Sequence, residues 1–167
     1  MEKNMIRDAV KGDSEAIAQI YNHYIENTAI SFEEKPVSGS DIQHRIEGVQ
    51  GAGLPWLVAV EEGGVVGYAY ATKWKERSAY RFSVEVSVYL SSQVQGKGLG
   101  AKLYETLFSK LKESGIHTVI GGITLSNPAS VALHEKMGMK KVAHFEKVGF
   151  KFNQWHDVGY WQLNLNS

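Results

Sequence analysis

Residues 84–111 constrain the chain more than any other stretch. Val84, Val86, Val88 and Leu90 alternate with Glu85, Ser87 and Tyr89, the two-residue period of a strand. Gln95-Gly96-Lys97-Gly98-Leu99-Gly100 follows as a glycine-rich turn. Beyond it Leu99, Leu103, Leu107 and Leu111 recur at every fourth position, joined by Tyr104 and Phe108, as on one face of an amphipathic helix. Gly115 is placed to end that helix in a left-handed cap. Strand, glycine turn and helix start in this order aim several free backbone N–H groups and a positive dipole end at one point. Phosphate is the natural occupant of such a point.

The glycine spacing separates the kinds of phosphate site. A dinucleotide fingerprint needs Gly-x-Gly-x-x-Gly, whereas Gly96, Gly98 and Gly100 are evenly spaced. A P-loop needs Lys-Ser/Thr after its last glycine, and Ala101-Lys102 does not supply it. The pattern Gln95-x-x-Gly98-x-Gly100 instead resembles the pyrophosphate-binding turn of the GNAT acetyltransferase superfamily, Gln/Arg-x-x-Gly-x-Gly/Ala.

Around this centre the chain reads as one α/β domain over residues 1–167, with a mixed, mainly antiparallel sheet and about four helices. Met5–Val10 is an expected edge strand. Asp13 is the expected N-cap of a helix carrying Ile17, Ile20, Tyr21, Tyr24 and Ile25. Thr28–Val37 reads as a loop and Ser38–Val49 as a shorter helix. Trp56–Val60 and Val65–Ala71 form a hairpin turning at Gly63-Gly64. His117–Thr124 is a strand, and Ser126-Asn127-Pro128 opens a helix with Asn127 as cap and Pro128 at the first position. Lys141–Leu165 reads as two long strands turning near Asn153-Gln154.

Composition removes several function classes. Eighteen basic residues balance 18 acidic ones, so no basic field is available for nucleic acid. With no cysteine there is no disulfide, no thiolate metal site and no acyl intermediate on sulfur. The six histidines lack metal-ligand spacing, and no metal is expected. No signal peptide or bilayer-length apolar run is evident, and a cytoplasmic protein without membrane partners is the expectation.

The resemblance extends beyond the turn. Asn22-His23-Tyr24-Ile25-Glu26, Glu85-Val86-Ser87-Val88-Tyr89, Leu133-His134-Glu135 and the run Gly149–Gly159 are similar to the phosphinothricin N-acetyltransferase family of the GNAT superfamily. That resemblance implies the GNAT fold, acetyl-CoA as cosubstrate, and an acceptor that is a small amino-acid analogue of the phosphinothricin, methionine sulfoximine or methionine sulfone type. It also implies a homodimer, with Trp155 and His156 either in the core or completing the pocket across the dimer.

The residues themselves leave choices open. A carboxylate at Glu85 within an apolar strand is either solvent-facing or held in a cleft; the resemblance places it where the acceptor amine arrives, as general base. His134 is either a core or helix-surface histidine or a catalytic group. Many GNAT enzymes carry a tyrosine there, so its expected role is acid to the CoA thiolate or partner to Glu85. By the same resemblance Val86, Ser87, Val88 and Tyr89 pair with the pantetheine arm and offer an N–H to the thioester oxygen. Gln95, Gly96, Lys97, Gly98, Leu99 and Gly100 hold the pyrophosphate, and Asn127 adds a CoA contact to its capping role. Lys97 and Lys102 flank the turn, either solvated or facing a phosphate. Lys75, Arg77 and Tyr80 match acceptor-binding positions and Phe32 a loop over the site; the bland alternative is a solvated basic segment. Competing functions are acetylation of a protein N-terminus or polyamine, a non-catalytic acyl-CoA-binding module, and a remote Rossmann-type reading.

Overall fold

The structure, a computed structural model, describes residues 4–166. Its centre is a seven-stranded sheet in the order β1-β2-β3-β4-β5-β7-β6. The strands are β1 (Asn4–Asp8), β2 (Trp56–Glu61), β3 (Gly64–Lys73), β4 (Ser83–Leu90), β5 (Thr118–Thr124), β6 (Lys140–Lys151) and β7 (Gln154–Asn164). The helices are α1 (Ser14–Asn27), α2 (Gly39–Gly51), α3 (Leu99–Glu113) and α4 (Pro128–Lys136).

Strand alternation divides the apolar side chains between two cores. On one face Trp56, Val58 and Tyr68 meet Ile17, Tyr21, Tyr24 and Ile25 of α1 and Ile42, Ile46 and Val49 of α2. On the other, Leu57, Ala59, Ala69, Ala71, Val84 and Val86 meet the leucine stripe of α3. Gly100 lets α4 approach α3, because a Cβ there would stand 3.2 Å from Leu133.

Local signals mostly act where the sequence puts them. Ser38 and Asp41 form a reciprocal capping box on α2, at 3.0 and 2.9 Å. Asn127 caps α4 through Ser130 N–H at 3.3 Å. Gly115 and Gly138 end α3 and α4 with φ of +91° each. Both hairpins have two-residue loops whose positive φ angles match the twist of the flanking strands. They are Glu62-Gly63 (51°, 82°) and Phe152-Asn153 (53°, 59°), each one residue before the expected turn.

Asp13 is a correction. A turn of 3₁₀ helix at Lys11–Asp13 precedes α1, so Asp13 already has helical angles, whereas a capping residue needs an extended backbone. Its carboxylate reaches backward instead, accepting from Val10 N–H at 2.8 Å and pairing with both Arg7 nitrogens at 2.7 and 3.0 Å. That pairing holds the Asp13 carboxyl below its usual range. Among the described residues no helix is long and apolar enough to cross a membrane.

One seam in the sheet differs from the rest. Every neighbouring pair is antiparallel except β4–β5, which is parallel and registered at three positions only: Ser83↔Thr118, Val84↔Val119 and Glu85↔Ile120. Past these, β4 continues beside β3 to Leu90 while β5 continues beside β7 to Thr124. The two strands part.

Candidate active site

The parting leaves a narrow cleft of about 50 Å³, lined by Val86, Val88, Gly122, Tyr104, Asn127 and His134 among others. Which backbone groups face it follows from the ladder. Ser91 N–H donates to Val66 C=O at 2.8 Å and Trp74 N–H to Ser83 C=O at 3.3 Å, so the odd-numbered residues of β4 turn their peptide groups to β3. Those of Val84, Val86, Val88 and Leu90 turn the other way. The parallel Glu85↔Ile120 pairing uses Val86 N–H. Val86 C=O and both groups of Val88 are left on the open edge, as a strand-like ligand requires. The oxyanion donor expected within Val86–Tyr89 narrows to Val88 N–H. Ser87 and Tyr89 bond to β3 and place their side chains on the α1–α2 face, where Ser87 stands opposite Tyr70.

At the mouth of the cleft the glycine turn runs into α3. Gly96 and Gly98 have φ of +83° and +76°, and no atom lies within 4 Å of a Cβ built on either. Gly98 precedes α3 without a side-chain cap, unlike the residues before α2 and α4. First-turn amides at Leu99, Gly100 and Ala101 are thereby available to an anion. Lys97 and Lys102 are exposed beside them. The Gln95 side chain has a partner within the protein: one of its amide N–H groups donates to Tyr24 Oη at 3.0 Å.

Glu85 lies on the α1–α2 face, partly buried, and its carboxylate accepts no hydrogen bond among the described residues. A Cβ on Gly122 would come within 3.4 Å of that carboxylate and 2.9 Å of the Tyr160 ring, so only glycine fits at that position of β5. Burial pushes the Glu85 carboxyl up, and the Lys75 ammonium pulls it partly back.

His134 occupies the opposite face. A Cβ on Gly121, the neighbour of Gly122, would stand 2.8 Å from its Nε2. Consecutive strand residues point to opposite faces, so Glu85 and His134 are separated by the sheet and form no dyad. His134 is 4% exposed. Its Nδ1 lies 2.8 Å from the Ser130 carbonyl, which can only accept, so Nδ1 carries the proton. Nε2 then accepts from the Tyr104 hydroxyl at 3.1 Å. Burial pushes the imidazole pKa down and the Tyr104 phenol up.

The acceptor candidates are less gathered. Lys75 acts on Glu85 and lies over the Trp74 ring at 4.9 Å. Arg77 and Tyr80 are exposed on the segment between β3 and β4. Phe32 packs on Gly149 of β6, where a Cβ would meet its ring at 2.2 Å, and against His156 at 6.0 Å. Trp155 is 61% exposed and is therefore not core. It lines, with His156, Ile30, Thr124 and Asn127, a cavity of about 580 Å³ that adjoins the cleft.

Sequence reasoning missed Tyr24, Tyr70, Tyr104 and Tyr160. Tyr104 had a signal, a hydroxyl within an aliphatic stripe; so did Gly121-Gly122, two glycines inside a strand, which mark close approach.

Residues 6–159 match a family described as acetyltransferase (GNAT) domain. The chain is 41% identical over 160 residues to a phosphinothricin N-acetyltransferase of Streptomyces viridochromogenes, covering 96% of this chain and 87% of the relative. It is 38% identical to an L-methionine sulfoximine/L-methionine sulfone acetyltransferase of Salmonella typhimurium, with 96% and 94% covered. An acetyltransferase from Salmonella typhimurium, solved with acetyl-CoA, superposes with a TM-score of 0.96 at 37% identity, covering 99% of this chain and 96% of the other.

Proposed function

The chain belongs to the GNAT acetyltransferase family, and from that premise we propose that this acetyl-CoA-dependent N-acetyltransferase acylates the α-amine of a small amino-acid analogue by direct transfer, with Glu85 as base. The observation that carries the reading is the seam. It opens at Glu85, so a thioester laid along the free edge of β4 would meet an unpartnered carboxylate where the ladder stops.

An α-ammonium entering from the α1–α2 face gives a proton to Glu85, and the freed amine attacks the thioester carbon. As the C–N bond forms, charge moves to the carbonyl oxygen, which Val88 N–H is placed to receive. The C–S bond then breaks, releasing CoA thiolate, and the acetylated nitrogen gives up its second proton to solvent as the amide forms. His134 holds no proton on Nε2, and its neutral form is favoured by burial. The Tyr104 hydroxyl, whose pKa burial raises above the ordinary value near 10, is a poorer proton donor than an ordinary phenol. The pair therefore supports the leaving group by shape and hydrogen bonding, and the proton comes from solvent. With no cysteine, initial-rate plots intersect instead of running parallel.

Lys75 and Arg77 supply positive charge for an acceptor carrying a carboxylate and a phosphinate, sulfoximine or sulfone oxygen, as the names of the two relatives suggest. A second copy of the chain covers the outward apolar side chains Val142, Phe145, Val148, Phe150 and Trp155 of the β6–β7 hairpin, all about half exposed or more. Release of CoA is the direct assay. Turnover with L-phosphinothricin, methionine sulfoximine or methionine sulfone is expected; turnover of spermidine or peptide N-termini in their place refutes the acceptor class.

A further inference from the structure

Tyr24 lies on α1, 71 residues before the glycine turn, yet it touches both the end of β4 and the middle of the segment that joins β4 to α3. Its hydroxyl makes a short hydrogen bond to the Leu90 carbonyl and accepts from Gln95 Nε2 at 3.0 Å. The directions are fixed. A phenol has one proton, the carbonyl can only accept, and so the Gln95 amide must be the donor to Tyr24. The ring is buried at 6% exposure and packs against Tyr89 with centroids 5.2 Å apart.

The Leu90 carbonyl is the last of those on the open edge of β4. Carbonyl and following N–H point opposite ways across a trans peptide, and Ser91 N–H goes to Val66 on β3. Leu90 C=O therefore faces the cleft side, and Tyr24 closes it. The edge available to a ligand then runs from Val86 C=O to Leu90 N–H and stops at the Leu90 carbonyl. The same hydroxyl also fixes Gln95, the first residue of the turn, against that endpoint.

We propose that Tyr24 is a positioning residue for acetyl-CoA: its hydroxyl ties the end of the open β4 edge to the Gln95 turn, setting the spacing between the pantetheine and pyrophosphate sites. Gln95 in this view serves the cosubstrate through the shape of its turn, one of its two side-chain N–H groups being committed to Tyr24. The inference rests on residues 95–100 being the pyrophosphate turn.

Tyr24→Phe keeps the buried ring and removes only the hydroxyl. Titration calorimetry with CoA should show Kd rising about tenfold, the worth of one buried hydrogen bond. KM for acetyl-CoA should rise with it, while kcat at saturating acetyl-CoA and KM for the acceptor stay unchanged. Gln95→Ala should produce the same rise, and the double variant no more than either single one. In the ligand-free protein, amide exchange at Gly96–Gly98 should quicken in both variants. An unchanged Kd in folded Tyr24→Phe, or additive effects in the double variant, overturns the proposal. Should Tyr24→Phe fail to fold, unchanged exchange in Gln95→Ala overturns it alone. A native protein that binds no CoA refutes the pyrophosphate reading instead, and the exchange measurements still report whether Tyr24 holds the turn.

Discussion

Each face of the sheet carries a candidate acid–base side chain beside the seam, Glu85 on one and His134 on the other, and the two are held in opposite ways. Glu85, on the α1–α2 face, has a raised pKa, only partial burial and no hydrogen bond among the described residues. His134, on the α3–α4 face, is buried, hydrogen-bonded at both ring nitrogens and neutral. A group that must take a proton from a visiting amine cannot already be satisfied by its own protein. A group that supports a bulky leaving thiolate is better fixed. The contrast supports the proposed base at Glu85 over His134, although residue type alone would make histidine the stronger candidate.

The contrast breaks first at Glu85. Glu85→Gln preserves size but cannot accept the proton, and kcat at neutral pH should fall by roughly 10²–10⁴-fold, recovering partly at high pH where free amine is abundant. Near-native kcat in the folded variant would move the base to another residue. Arg77→Ala should lower kcat/KM for the acceptor by roughly ten- to a hundredfold, the worth of a charge-assisted hydrogen bond, with KM for acetyl-CoA unchanged. Equal losses toward both substrates would show that Arg77 does not read the acceptor.

On the other face the effect should be smaller. Tyr104→Phe removes one neutral hydrogen bond and should reduce kcat by no more than about tenfold. A loss as large as that of Glu85→Gln would make the Tyr104–His134 pair the proton relay. Lys75→Met should raise KM for the acceptor and, at saturating acceptor, should move the acidic limb of the pH–rate profile upward. The ammonium favours ionised Glu85, so its removal raises that pKa and shifts the onset of activity to higher pH. A limb that stays in place would separate Lys75 from Glu85.

A final consequence concerns stability. A carboxyl whose pKa is raised on folding contributes least once pH exceeds that folded value, because its ionised form is disfavoured in the native state. Glu85→Gln should therefore melt at a higher temperature than the native chain at pH 7. That advantage should shrink as pH falls and native Glu85 takes up its proton.

Much of this architecture is legible in the chain because it is written in short-range chemistry. The leucine stripe, Asn127-Pro128 and Gly115 each act within a turn or two of their own position, and the structure places them accordingly. Asp13 failed for an equally local reason: three residues of 3₁₀ helix moved it from cap to first turn. The length of the β4–β5 seam, the separation of Glu85 and His134 by the sheet, and the tie from Tyr24 to Gln95 depend on residues tens of positions apart. Periodicity carries no trace of them. Arg77, Tyr80 and Phe32 come from family resemblance, and the structure puts Arg77 and Tyr80 on the segment between β3 and β4 and Phe32 against Gly149 and His156.

If acetyl-CoA binds as proposed, the three-pair seam also ties the heat tolerance of the protein to metabolite supply. A ligand that pairs with Val86 and Val88 completes a ladder the chain cannot complete itself, and it does so only in the folded state. By mass action such a ligand at a hundred times its dissociation constant adds about 2.7 kcal/mol to the unfolding free energy. The melting temperature is then not a fixed property of the sequence. It follows the concentration of acetyl-CoA, and a chain starved of its cosubstrate is the one that unfolds first.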